Sequence, residues 1–177
     1  MSLDSDNVRV GTTGVVYVAP TGTAAPTDSG TALDVAFVDL GYCSPDGVAE
    51  TIDKSTVQIR AWQNGALVRE VVSEGTYSIE TTFIETNEAV LELYYGVPMD
   101  AGKFLIDPRK TGGRQSFIVD VIDGSSIERT YIPAGEITSV GERTLASGEA
   151  IGYMVTITAY ADATSNVVTK WFSDLEA

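Results

Sequence analysis

Histidine is absent from this chain of 177 residues. The Ser-His-Asp and Cys-His catalytic arrangements need histidine, as do the usual zinc sites, so all of these are excluded. Cysteine occurs once, at Cys43, which excludes an internal disulfide and leaves the fold to rest on packing alone. Because a nucleophilic thiol would want a basic partner, we interpret Cys43 as a small, partly buried apolar residue.

Long apolar runs and phosphate-binding motifs are also missing. No stretch of about 20 apolar residues exists, so we expect no membrane span. The first six residues are acidic and short of apolar side chains, unlike a signal peptide. No Gly-x-x-x-x-Gly-Lys or Gly-x-Gly-x-x-Gly motif occurs, and the glycine-rich stretch 111–114 leads into no helical pattern.

Carboxylates are plentiful, so residue types alone leave room for the paired carboxylates of a glycosidase. Such pairs usually lie in a cleft lined by aromatic residues, and the chain has only two Trp. We interpret Asp120 as a strand residue facing solvent and Asp123 as a turn former. The sequence therefore predicts a protein that is not an enzyme, with no metal site and no cofactor.

Basic residues are few: 11 Lys and Arg stand against 25 Asp and Glu, a formal net charge of −14. DNA binding depends on neutralising phosphates with Lys and Arg, so a chain of this charge repels nucleic acid. Solubility alone would explain the charge. A protein past which DNA slides without sticking would also need this sign, and charge does not choose between the two.

Short alternating or apolar runs predict a mainly β protein. The predicted strands are 14–19, 35–40, 76–84, 117–122, 127–132, 136–141 and 153–160, with a tight turn at 123–126. One helix is predicted at 87–95, capped by Thr86 or Asn87 and ended by Gly96. Asn64 and Gly65 suit a hairpin turn, so we interpret 48–75 as an extended hairpin or a long loop.

Many strands with a single helix favour an antiparallel β-sandwich or barrel with one flanking helix. We expect one domain over 1–177, with an amino-terminal arm at 1–12 and a carboxy-terminal tail at 162–177. Residues 100–114 are predicted to form a loop that holds four of the basic residues.

Several short motifs resemble the major tail proteins of long-tailed phages, especially those of actinobacteria. The resemblance covers residues 8–98 and depends on the order and spacing of the motifs. They are GVVYVAPTGT at 14–23 with Pro26, DLGY at 39–42, DGV at 46–48, AWQNG at 61–65, VR at 68–69, FIETNEAVL at 83–91 and YG at 95–96.

The resemblance implies a tail tube protein, whose copies close into six-membered rings that stack into a hollow tube. Strands of neighbouring subunits would join into one barrel around a lumen, and the arm and the long loop would make contacts between rings. The implied partners are the chain itself, other tail proteins and double-stranded DNA that passes without specific binding, with no membrane. The implied location is the virion tail, assembled in the bacterial host cytoplasm. The alternative is a non-catalytic β-sandwich binding module on a virion, immunoglobulin-like or carbohydrate-binding.

Two sets of residues are candidates for these roles. Polar residues that alternate along the strongest strands could face the lumen, or could form an ordinary solvated outer face: Ser78, Glu80, Thr82, Asp120, Glu128, Thr130, Thr156 and Thr158. The candidates for contacts between subunits are Trp62, Arg69, Lys103, Arg109, Lys110 and Arg114. For Trp62, a place in the core and a place at an interface are equally compatible with the sequence.

Overall fold

The computed structural model describes residues 7–175, which form one helix and eight strands. The strands are β1 (Thr13–Pro20), β2 (Val38–Asp39), β3 (Cys43–Arg60), β4 (Leu67–Phe83), β5 (Gln115–Asp123), β6 (Ser126–Val140), β7 (Tyr153–Ala159) and β8 (Thr169–Phe172), and the helix is α1 (Glu88–Tyr95). The mainly β fold with a single short helix confirms the predicted fold class.

All strands belong to one antiparallel sheet, in the order β2-β1-β5-β6-β7-β4-β3. Strand β6 has two halves with different neighbours. Its first half pairs with β5 on one side and β8 on the other, and its second half pairs with β7. Since β7 and β8 pair with successive parts of the same strand, β8 continues the line of β7.

The two edges of this sheet are tied together by a very short connection. Strand β2 is at one edge and β3 at the other, yet only Leu40, Gly41 and Tyr42 separate them. Three residues span about 10 Å at most, so the sheet has to curl until its edges meet. The Leu40 amide donates to the Val16 carbonyl over 3.0 Å, and the Tyr42 amide donates to Glu85 over 3.1 Å.

The inner face of the curled sheet carries the main core. Inward and outward positions alternate along β7, where every second residue from Tyr153 to Ala159 is buried. The strand positions of this core are Val16, Val18, Ile79, Phe83, Phe117, Val119, Ile132, Ile137, Tyr153, Val155, Ile157 and Ala159. Leu40 joins the same cluster, so the short connection is also a core element.

Helix α1 packs against the main core, on the inner side of the curled sheet. Val90 and Leu93 are buried in that core, because they lie on one face of the helix. The Asn87 side chain caps the helix by accepting from the Val90 amide over 2.9 Å, and its amide group donates to the Leu40 carbonyl over 3.1 Å. Gly96 ends the helix with a left-handed φ of 65°.

A second, smaller core lies on the outer face of β1, β5 and β6. It contains Ala19, Phe37, Ile118 and Tyr131, and residues 21–37 cover it. Outer residues of β4 and β7 take no part in this cluster. The outer face of the sheet is therefore closed over one half and open over the other.

Most predicted elements are confirmed, and three differ. The prediction of a strand at 35–40 is too long, because a turn with a Phe37-to-Asp34 hydrogen bond leaves only Val38–Asp39 paired. The region 48–75 is a hairpin, the first of the two predicted forms, and it is part of the longer β3–β4 pair. The strands predicted at 127–132 and 136–141 are one strand, β6, which bulges rather than breaks at Pro133–Gly135.

The terminal segments are partly ordered against the sheet. The predicted tail contains β8, which the sequence analysis missed. Of the predicted arm, residues 1–6 are outside the described residues, as are 176–177 of the tail. Further along the arm, the Val10 amide donates to Asp123 over 2.9 Å, and the Thr12 amide donates to the Ile122 carbonyl over 3.1 Å.

Asn87 should stabilise the fold through both of its hydrogen bonds. Asn87→Ala removes the helix cap and the donor to Leu40, so we expect a loss of about 2 kcal/mol in the free energy of unfolding. Asn87→Ser keeps a cap but cannot reach Leu40, so about half of that loss is expected. Urea denaturation of the dilute protein measures both, and equal losses for the two variants would contradict a role for the Leu40 bond.

Candidate functional surfaces

The open half of the outer sheet face is a polar surface on four neighbouring strands. We call it the open face, and its residues are exposed or half-buried: Thr51, Ser78, Glu80, Thr82, Glu136, Thr138, Ser139, Met154, Thr156 and Thr158. Ser78 lies opposite Thr158 and Glu80 lies opposite Thr156 in the β4–β7 register. Side chains at opposite positions point to the same face, so these residues form rows across the sheet.

Hydroxyl groups dominate the open face, and its charged residues are two glutamates. The hydroxyls of Thr138 and Thr158 are 2.7 Å apart, and Thr111 donates to Glu136 over 2.5 Å. Arg114 lies beyond the end of β7, with its guanidinium 4.5 Å from the ring centroid of Tyr160. The surface therefore combines polar hydroxyls with a sparse negative charge.

Five of the eight predicted lumen candidates lie together on the open face, and three do not. Side chains alternate between the two faces along β4 and β7, so five candidates point to the same face: Ser78, Glu80, Thr82, Thr156 and Thr158. Asp120 is on the same side of the sheet, under the covered half, and Glu128 and Thr130 point to the opposite side. Glu136 and Thr138 of the open face were not predicted, because the sequence pattern indicates a break between two strands just before them.

The prediction of a solvent-facing Asp120 is wrong, because this residue is in a buried ion pair. Asp120 accepts two hydrogen bonds from Arg129, at 2.8 and 2.7 Å, and the two side chains are only 10% and 7% exposed. The hydrogen bonds that Arg129 donates to Asp120 raise the pKa of Arg129. Arg129 also donates to the carbonyls of Asp28 and Thr31, at 3.3 and 2.7 Å, so the pair holds the covering segment in place.

Thr130 and Glu128 also depart from the prediction. They lie opposite Val119 and Val121, so they point to the side of the main core. Thr130 is 5% exposed, which excludes a solvent-facing role in the subunit. Glu128 accepts a hydrogen bond from Lys170 over 2.7 Å at the base of the β3–β4 pair.

The outer part of the β3–β4 hairpin projects from the sheet and exposes many apolar side chains. Strand β4 pairs with β7 only from Tyr77 onward, so residues 53–76 pair with no strand except each other. The exposed apolar residues of this part are Val57, Ile59, Trp62, Leu67, Val68, Val71 and Val72. A lone two-stranded hairpin is marginally stable, and contiguous exposed apolar surface is typical of interaction sites.

Trp62 is at the tip of this hairpin and is 97% exposed. This exposure excludes a place in the core of the subunit, and the place of Trp62 at an interface stays a prediction. Arg69 lies opposite Ile59 on the same hairpin and is also exposed.

The basic loop, residues 100–114, is exposed between α1 and β5. Lys103, Arg109, Lys110 and Arg114 all lie on it at exposed positions. Arg109 pairs with Asp107 over 2.9 Å, and this hydrogen bond lowers the pKa of Asp107. Lys103 and Lys110 form no ion pair within residues 7–175. The loop thus presents positive charge on a strongly acidic protein.

Residues 7–175 contain neither a group of metal-binding side chains nor a helix that could span a membrane. No three or more Cys, Asp or Glu side chains there are grouped so that they could hold a metal ion. No helix of that part of the chain is long and apolar enough to cross a membrane.

Comparison with known proteins assigns the sequence to a family. The sequence model described as "Phage tail tube protein" matches residues 1–176. No curated protein sequence matches the chain. The alternative of a binding module on a virion has no support in these comparisons.

Several solved structures superpose on most of this chain. A chain of the sheath–tube complex of an extracellular contractile injection system, in its extended state, superposes with a TM-score of 0.50 at 8% identity, over 96% of this chain and 98% of that one. A chain of a native gene transfer agent virion gives 0.48 at 10% identity, over 93% and 98%. The tube-terminating cap of the anti-feeding prophage gives 0.48 at 12% identity, over 96% and 98%.

Breaking the Asp120–Arg129 pair should strongly destabilise the subunit. Asp120→Asn leaves the Arg129 charge buried without a counterion, so we expect a loss of about 3 kcal/mol or more in the free energy of unfolding. The matched control is Asp107→Asn, which breaks the exposed pair with Arg109 and should leave the unfolding midpoint unchanged. Equal midpoints for the two variants in urea denaturation would show that the buried pair does not hold the fold.

Proposed function

This chain belongs to the phage tail tube protein family, and from that premise we propose that its copies close into six-membered rings that stack into a DNA conduit. The protein is a structural component of the virion tail. Assembly would take place in the host cytoplasm, where the rings would meet the other tail proteins. In the finished tail, double-stranded DNA would pass along the lumen without specific binding.

The observation that carries this proposal is that free strand edges bound the open face. The outer edge of β3 pairs with no other strand of the described chain. The second half of β6 pairs with β7 on one side. On its other side the pairing with β5 ends at Gly135, so residues 136–140 have no partner strand there. Each copy therefore has two unpaired edges, one at each side of a four-stranded polar face.

Joining the β3 edge of one copy to the Glu136–Val140 edge of the next would extend the sheet around a ring. Repetition of a head-to-tail contact closes a ring, and closure removes every exposed edge. In the closed ring, the open faces of all copies would form one continuous wall. The main core and α1 would lie on the opposite side of the sheet, away from the lumen.

The chemistry of the open face suits passage of DNA. Phosphates bind where Lys and Arg displace counterions, and the residues of this face include neither. Glu80 and Glu136 would recur in every copy, so modest charges would add up to a repulsive wall. Hydroxyl groups between them would keep the wall hydrated. The lumen residues that we propose are thus Ser78, Glu80, Thr82, Thr156 and Thr158, with Glu136 and Thr138.

The projecting hairpin and the basic loop supply the other contacts in this proposal. Burial of Trp62 and its apolar neighbours against another copy would remove exposed apolar surface from water. Lys103, Arg109, Lys110 and Arg114 would meet acidic surface of a neighbouring subunit, as would Arg69 on the hairpin. Such contacts would offset the mutual repulsion of copies that each carry a net charge of −14. The amino-terminal arm would add contacts between rings.

Electron microscopy of concentrated purified protein tests assembly directly. We expect rings or tubes from the native chain and a monomer on dilution. Trp62→Ala should leave the melting temperature of the dilute monomer unchanged and raise the concentration needed for assembly at least about tenfold, since aromatic anchors dominate interfaces. The matched control is Trp171→Phe, because Trp171 packs within the subunit. A native chain that stays monomeric at high concentration with its tail partners present would contradict the proposal.

Charge reversal on the open face tests the lumen. Glu80→Lys would place a ring of cations in the channel, so assembled tubes should retain DNA and eject it more slowly, most clearly at low salt. Glu149→Lys makes the same charge change in an exposed loop outside the open face and serves as the control. Ejection rates are measured on phage that carry each variant. Normal ejection from tails with Glu80→Lys would show that Glu80 does not line the channel.

A further inference from the structure

One lysine joins three strands at the base of the projecting hairpin. The ammonium group of Lys170, on β8, donates to the carboxylates of Glu50 on β3 and Glu128 on β6. The distance to Glu128 is 2.7 Å. We call these three residues the base triad.

The base triad lies where the hairpin leaves the sheet. Glu50 is opposite Ile79, two residue pairs before the pair of Ile52 and Tyr77. Tyr77 is the first residue of β4 that pairs with β7, and it lies opposite Ala159, the last residue of β7. Strand β8 continues the line of β7 beyond this point, but β4 does not pair with it. The hairpin and β8 therefore diverge, and Lys170 bridges the gap between them.

The surroundings of the triad favour a fixed geometry. The Lys170 side chain is 23% exposed, against 34% for Glu50 and 38% for Glu128, so all three are partly shielded from water. Burial by itself would lower the pKa of Lys170, but the hydrogen bonds to Glu128 and Glu50 outweigh it and raise that pKa. Burial also raises the pKa of the neighbouring Tyr77, and the Glu50 charge raises it further. The lysine is thus held in its charged, donating form.

Apart from the Glu50–Lys170 contact, the base of the hairpin is held by the pairing of Tyr77 with Ala159 and by the packing of Val48 and Tyr77 against the main core. Beyond the base, every residue from Thr51 to Arg60 is exposed, and on the returning strand every residue from Leu67 to Thr76 is exposed. The hairpin backbone hydrogen bonds fix its two strands to each other but not to the body of the subunit. Among the described residues, the pair of Glu50 with Lys170 is the ion pair that links the β3–β4 hairpin to the body of the subunit.

We infer that Lys170 is a positioning residue, which fixes the direction of the β3–β4 hairpin before it docks on a neighbouring copy. The docking step rests on the proposed function. The orientation itself is a property of the single subunit and is measured without assembly.

Distances between spin labels measure the hairpin direction in the dilute monomer. Labels on Gln63→Cys at the tip and Glu88→Cys on α1, in a Cys43→Ala background, report the position of the hairpin relative to the body. The native base triad should give one narrow distance distribution. Glu50→Gln and Lys170→Met should both lose this single narrow peak and give a broad distribution.

The two variants and two controls separate positioning from folding. Glu50→Gln leaves Lys170 bound to Glu128, so β8 stays in place even if Lys170→Met weakens the subunit. Lys170→Arg keeps a charge that can bridge both carboxylates and should restore the narrow peak. Lys54→Met removes an exposed hairpin charge outside the triad and should leave the peak unchanged. Narrow peaks in both Glu50→Gln and Lys170→Met would overturn the inference.

The assembly measurement then links the direction of the hairpin to tube formation. Glu50→Gln should raise the concentration needed for rings by about tenfold, because a mobile hairpin has to be ordered when it docks. An unchanged concentration together with a broadened distribution would overturn the role of Lys170 in docking. If the native chain forms no rings, the proposed function fails, while the spin-label distances still decide whether Lys170 orients the hairpin.

Discussion

The connection of Leu40, Gly41 and Tyr42 between the two edges of the sheet is the constraint from which the architecture follows. A flat sheet of this strand order would hold β2 and β3 at its opposite ends, much farther apart than three residues reach. The sheet therefore curls, and its faces become unequal: the inner face collects the main core, and the outer face remains available. Gly41 fits this connection because its φ of 83° is left-handed and the carboxylate of Glu85 occupies the space where a Cβ would be.

One half of the outer face is covered by residues 21–37 and the other half is not, and this difference depends on one ion pair. Residues 21–37 can lie over β1, β5 and β6 because Arg129 donates to two of their carbonyls, and Asp120 neutralises its charge. Over β7 and β4 no comparable anchor exists in the described chain, and the outward residues there are mostly hydroxyls, with Glu80 and Met154. The boundary between covered and open surface thus lies within β6, at the bulge around Gly135.

The sequence permits prediction of what local periodicity controls. Alternation along β7 and the cap, apolar face and final glycine of α1 predict these elements correctly, because burial on one face follows directly from a period of 2 or 3.6. Asp120 and Glu80 alternate with apolar residues in the same way, yet only tertiary structure buries one and exposes the other. Strand β8 escaped prediction because a four-residue strand carries too short a pattern. The direction of the hairpin depends on Lys170, which is 120 residues from its partner Glu50.

Exposed strand edges and exposed apolar surface normally make a subunit aggregate. The subunit therefore needs features that discourage uncontrolled association. The outer hairpin carries charged residues among its apolar ones, and its pairing shifts register at Ser55–Thr56 and Ile59–Arg60. Bulges and charges of this kind discourage indefinite edge-to-edge pairing. The net charge of −14 adds a general repulsion that only complementary surfaces can overcome. A subunit of this design stays soluble while it is dilute and yet keeps two strand edges and an apolar hairpin free. In the proposed ring, association would be most favourable in an orientation that pairs both edges, buries the hairpin and brings the basic loop to an acidic surface at the same time.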